Sequence, residues 1–185
     1  MKNKIYTNTD GVNVYARIDV NASKPGIYIL VILLITAFIL FTIVLSQMPP
    51  EEITSMAIPL LLMLILCIGL PTKYLLWNLF GSEELIVNSK SVSWSYDYGF
   101  FRTNKKTYKF DRLGTGFESV RGTLDNELGK LVFYNYREED NLPELIHETT
   151  LLLQRKDIEE LDDLIRDIFT DEFLDSGGYV PFSAN

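Results

Sequence analysis

The sequence predicts a membrane α-helical hairpin joined to a small α+β domain. Three observations carry this. Residues 26–48 (GIYILVILLITAFILFTIVLSQM) and 53–72 (ITSMAIPLLLMLILCIGLPT) contain no charge. Beyond residue 82 several segments alternate polar and apolar side chains with the period of half-buried strands. The last strong pattern, over residues 157–169, is apolar at helical spacing.

Residues 1–25 form a polar arm. It has alternating pieces, notably Val12, Val14 and Tyr15 near Ala16, Ile18 and Val20, which read as a strand or as an irregular juxtamembrane segment. Asn21-Ala22-Ser23 has the form of a glycosylation sequon, but its place in a short arm beside a membrane makes it coincidental. The first apolar stretch follows. About 20 helical residues cross a hydrocarbon core about 30 Å thick, and in lipid only helices or closed barrels satisfy the backbone. No A-x-A-like cleavage site follows it, so it is expected to be retained.

Pro49-Pro50-Glu51-Glu52 connects the two stretches. Pro50 suits the first turn of the second helix, with Glu51 and Glu52 at its positive end. Pro59 and Pro71 are kink points. Cys67, the only cysteine, reads as a small apolar residue within the membrane and allows no disulfide within one chain. Past Thr72 the helical pattern runs to Phe80, with Tyr74 and Trp77 suited to an interfacial belt, and Gly81 is a natural stop. The membrane region therefore spans 26–81, with helices over about 26–48 and 53–80, and the domain over 82–170 starts with almost no linker.

Within that domain, strands are expected at Leu85-Ile86-Val87, at residues 92–98, around Tyr108 and Phe110 with residues 115–120 extending or following them, at residues 130–136 (KLVFYNY), and at residues 149–155 (TTLLLQR). Trp94, Tyr96, Tyr98, Tyr108 and Phe110 form an aromatic stripe, either core or partly left at an interface. Ile158, Leu161, Leu164, Ile165, Ile168 and Phe169 make the apolar face of a helix that Asp157 and Glu160 can cap. Its outward face is Glu159, Asp162, Asp163, Arg166 and Asp167. Residues 171–185 read as a loosely held acidic tail.

Charge is divided unevenly. From Ser82 onward there are 21 acids and 12 bases, against 4 acids and 5 bases before it. A domain this acidic argues against nucleic acid, whose binding needs a positive field. Lys2, Lys4, Arg17 and Lys24 precede the first stretch, and Lys73, Arg102, Lys105 and Lys106 follow the second, whereas the connector has only acids. The positive-inside rule then puts both termini in the cytoplasm.

Motifs for catalysis are missing. His147 is the sole histidine, read here as a structural or solvated loop residue, and there is no H-E-x-x-H, P-loop or G-x-S-x-G. Gly114-Thr115-Gly116 lacks the third glycine of a dinucleotide site. Glu138, Glu139 and Asp140 lack the spaced oxygens and glycine turn of a calcium loop. No ionisable residue lies within either apolar stretch to mark a transport path. No enzyme activity, cofactor or metal is expected. The one positive cluster of the domain is Arg102, Lys105, Lys106, Lys109 and Arg112, a possible contact for lipid head groups or for a partner, or simply a solvated strand face.

Three segments carry a resemblance. Trp77-Asn78-Leu79-Phe80-Gly81-Ser82-Glu83 is similar to a W-x-L-F-G-x-E junction, and Gly99-Phe100-Phe101-Arg102 with Lys106-Thr107-Tyr108 to a g-l-x-r-x-k-x-y hairpin. Residues 129–136 and 151–168 resemble the strand pair and helix that follow in the same group. That group is the small bacterial two-span proteins with a pleckstrin-homology-like (PH-like) cytoplasmic domain. The likeness covers about residues 60–169, and this chain departs from it in Glu138-Glu139-Asp140 and in its longer arm. The resemblance implies a PH-like antiparallel barrel or sandwich closed by a C-terminal helix, in the bacterial inner membrane, and implies no reaction. The expected function is non-catalytic: an interaction or accessory subunit docking another membrane protein or a second copy of itself beside the bilayer. The alternative is a module that senses anionic lipid through the basic hairpin.

Overall fold

The computed structural model describes residues 3–122, 127–172 and 179–180. The arm forms a hairpin of β1 (Lys4–Thr9) and β2 (Asn13–Asp19). Its turn is organised by Asp10, whose carboxylate accepts the N–H groups of Val12 at 3.0 Å and Asn13 at 2.6 Å, holding that carboxyl far below the usual range. Gly11, at φ 84°, takes the left-handed position. Along β2 the alternation resolves into buried Val14, Ala16 and Ile18 against exposed Tyr15 and Arg17.

The chain then leaves the sheet for its helices and returns beside the strand it left. Helix α1 (Lys24–Gln47) is followed by α2 (Pro50–Ser55), α3 (Ala57–Leu64), a π-helical turn (Ile65–Gly69) and α4 (Leu70–Phe80). Two helical stretches, Lys24–Gln47 and Ala57–Phe80, are long and apolar enough to cross a membrane. The second is not the single helix expected over 53–80. Met56, at φ −99° and ψ 12°, separates α2 from α3, which leaves Pro59 in a first turn where its missing N–H matters least. Pro71 cannot donate to the carbonyl of Cys67, and the π turn directly before α4 absorbs that defect.

Strand β3 (Ser82–Asn88) pairs antiparallel with β2 from Asn13↔Asn88 to Asp19↔Ser82, and Val20 N–H donates to Gly81 C=O at 2.9 Å. The arm is thus part of the domain: residues 82–170 alone lack two of the strands in the first sheet. That sheet runs β1-β2-β3-β4-β5, with β4 at Ser91–Asp97 and β5 at Lys106–Lys109. The second sheet holds β6 (Arg112–Arg121), β7 (Leu128–Tyr136) and β8 (Pro143–Glu148), while β9 (Leu153–Gln154) also pairs with β7. Strand β10 (Tyr179–Val180) lies parallel to β6; the rest of the expected tail beyond residue 172 is outside the described residues. Among the described residues the two sheets do not close into a barrel.

Helix α5 (Arg155–Glu172) packs against strands of both sheets. Ile158, Leu161, Ile165, Ile168 and Phe169 enter a core with Val14, Ile18, Leu85, Val87, Leu113, Leu131, Phe133 and Leu153. The helix starts two residues ahead of Asp157, so the strand expected over 149–155 shortens to β9. Asp162 also departs from expectation. It is 1% exposed rather than outward, because it bonds the Thr115 hydroxyl on β6 and accepts from Arg166 Nη2 at 3.0 Å.

The buried stripe of α5 sets a pair of outcomes. Ile165→Asp puts an uncompensated charge into a fully buried site, a cost of several kcal/mol against a marginal domain, and is expected to unfold it. Asp163→Lys, on the solvent face of α5, is expected to leave the melting temperature within a degree or two. Equal melts for the two variants would contradict this packing.

Candidate functional site

The five basic residues do not form one patch. Arg102 Nη2 donates to Glu84 Oε1 at 3.0 Å and Asp97 Oδ2 at 3.1 Å. Asp97 also accepts the Gly99 N–H at 2.7 Å; that bond first, and Arg102 second, hold its carboxyl below the usual range. Arg102 is therefore part of the clamp on the 98–101 turn. Arg112 lies at the start of β6 in the second sheet and bonds the Asn141 side chain. Lys105, Lys106 and Lys109 remain exposed at and beside β5. Asp140 of the acidic insertion pairs with Arg137 at 2.7 Å. Among the described residues no group of three metal-ligating side chains comes together.

A polar cluster that the sequence reading missed lies inside the domain. His147 is on β8 rather than in a loop, and it is buried. Its Nε2 is 2.8 Å from Glu83 Oε1, and its ring stacks on Trp94 with centroids 4.4 Å apart. Glu83, fully buried, faces inward on β3 because it shares the side of Leu85 and Val87. Its second oxygen accepts the Thr150 N–H at 2.9 Å, and the Thr150 hydroxyl donates to Tyr96 Oη at 3.1 Å. The acid is thus enclosed by two partners, His147 on β8 and Thr150 just beyond it. Each oxygen has one protein hydrogen-bond partner, as a buried carboxyl requires.

Tyr96 links this cluster to an open cleft of about 500 Å³, lined by Leu70, Lys73, Tyr74 and Trp77 of α4 and by Tyr96, Tyr98 and Thr150 of the domain. The helical residues fall at positions i, i+3, i+4 and i+7, which is one face of α4. Trp77 meets Tyr96 edge-on at 5.9 Å and Tyr98 at 5.0 Å. Lys73 Nζ lies 5.4 Å from the Tyr98 ring centroid, within cation–π range. Burial pushes the Tyr96 phenol up, so it stays a hydroxyl and a donor. Next to the cleft, Phe80 contacts Phe100 edge-on at 5.7 Å, and Phe100 is 77% exposed. Gly99 has φ 84°, and a Cβ there would sit 2.6 Å from Phe80 Cβ. Only glycine allows the turn to lie against the end of α4.

The aromatic stripe is accordingly divided. Phe110 and Trp94 pack on the core, while Tyr96 and Tyr98 turn to the helix. No protein-family model matches the chain, and no curated protein matches it in sequence.

The Glu83–His147 pair is coupled in a way that thermal melts can measure. His147→Phe keeps a ring for Trp94 but leaves one Glu83 oxygen without its donor, which costs about 1–3 kcal/mol. Glu83→Leu is expected to destabilise as well. The double variant is expected to lose clearly less than the sum of the two. Strict additivity would show that the bond is energetically idle.

Proposed function

We propose that the protein is a non-catalytic inner-membrane protein, crossing the bilayer twice with both termini cytoplasmic, whose PH-like domain docks a protein partner against the membrane face. The observation that carries this is the short passage of β2 into α1, through residues 20–23, and of α4 into β3, through Gly81 alone. With the strands paired up to Asp19↔Ser82 and Val20 bonded to Gly81, the domain has little freedom to turn away from the helices. Two membrane-length helices secure localisation, so the domain needs no lipid affinity of its own to stay at the membrane. Its faces are left for protein contact.

Two mainly antiparallel sheets with one C-terminal helix packed on both support the PH-like reading. The enclosed bonding of Glu83 and His147 supports a structural role for the titratable pair best suited to chemistry. The alternative, head-group sensing through the basic hairpin, is weakened by the pairing of Arg102 with Glu84 and Asp97. It is weakened further by the acidic balance of the domain, which opposes an anionic leaflet.

On the outer face of the first sheet, Tyr6, Tyr15, Arg17, Glu84 and Ile86 line a groove of about 330 Å³, a mixed aromatic and charged surface of the kind interfaces favour. Purification of the full chain in mild detergent is expected to bring down one protein in stoichiometric amount. The change Tyr6→Glu, at an exposed position of the groove, is expected to release it without lowering the melt. A clean monomer from the wild type would contradict the docking reading.

A further inference from the structure

We infer that the cleft between α4 and β4 binds one membrane phospholipid, its phosphate held by Lys73 and Tyr96 and its upper acyl chain lying toward Leu70. The inference goes beyond partner docking and rests on the membrane-crossing part of that reading. Among the described residues Lys73 is the only charged one lining the cleft, and no carboxylate among them pairs with it. Its ammonium lies over the Tyr98 ring. The nearest buried acid, Glu83, is closed off by His147 and Thr150. Tyr96 accepts the Thr150 hydroxyl, which leaves its own hydroxyl hydrogen available. A cation and a phenol donor in one cleft, with no acid on the lining, are complementary to an anion.

The remaining lining says which anion. Leu70, Tyr74, Trp77 and Tyr98 supply apolar surface that a free phosphate would leave wet. From Leu70 to Trp77 the helix rises about 10 Å, comparable to the depth from the upper acyl carbons to the head group. Tyr and Trp favour that same boundary. Because α4 ends the second membrane-length stretch, the Leu70 end of the cleft would face hydrocarbon and the Tyr96 end water, the polarity of an amphiphile.

The test uses the full chain in detergent, titrated with phosphatidylglycerol and read by native mass spectrometry. One bound lipid is expected for the wild type. Lys73→Gln is expected to weaken binding at least about tenfold, and Tyr96→Phe severalfold. Lys109→Gln, on β5 outside the cleft, is expected to bind like the wild type. Lys73 is exposed, so its substitution leaves folding intact, and a thermal melt confirms that. Three results would overturn the inference: wild-type binding by Lys73→Gln, an equal loss in Lys109→Gln, or displacement of the lipid by millimolar inorganic phosphate. None of them alters whether a stoichiometric protein partner co-purifies, so failure here is distinguishable from failure of the docking proposal.

Discussion

The pairing of β2 with β3 is the constraint on which the rest of the structure depends. These two strands are separated in sequence by the whole helical region, yet they pair without a bulge along seven positions and bury Val14, Ala16 and Ile18 beside Leu85 and Val87. The helices are therefore an insertion into a strand-to-strand connection, and the domain is discontinuous in sequence. Antiparallel neighbours lie about 5 Å apart, so the chain leaves and re-enters the sheet at adjacent points. The end of α4 must then run alongside the start of α1. Gly81 makes the tight exit from α4 possible, since a Cβ there would lie 2.2 Å from the Trp77 carbonyl oxygen of that helix's own last turn.

The same constraint builds the cleft. With α4 entering β3 directly, one face of its last turns overhangs the next strand, β4, and Trp77 comes to rest on Tyr96 and Tyr98. The Asp97–Arg102–Glu84 clamp then fixes the turn that carries Phe100 beside Phe80. Behind it, Glu83 ties β3 to β8 and to the segment at Thr150. A buried acid is a poor source of net stability, but its need for a partner at each oxygen admits few alternative strand registers. One polar side chain on an apolar face thereby fixes how the two sheets meet.

The local patterns were legible in the sequence and the long-range ones were not. Length and lack of charge marked the two helical stretches, period-two alternation marked β4, and short apolar runs between turn residues marked β3 and β7. Helical spacing marked α5. The alternation of Val14, Ala16 and Ile18 was also visible, but nothing local says that their partner strand lies more than 60 residues away. Strand β8 escaped because Pro143 opens it and its burial does not alternate regularly. That left His147 to be read as a loop residue. Asp162 escaped because a carboxylate at the margin of an amphipathic face looks solvated until Thr115 of another element is brought to it. For the cleft, Trp77 and Tyr74 were read as an interfacial belt and Tyr96 and Tyr98 as part of a stripe, each by composition. Their meeting is a product of topology alone.

The claim that the domain is one fold interrupted by its helices can be measured directly. Residues 21–80 are replaced by a two-residue Asn-Gly turn, which suits a tight antiparallel connection, so that β2 runs straight into β3. The account predicts a soluble protein with a cooperative melt and slow amide exchange on both β2 and β3, whereas residues 82–185 alone lack that cooperative transition. A cooperative melt from residues 82–185 alone, equal to that of the joined protein, would contradict it.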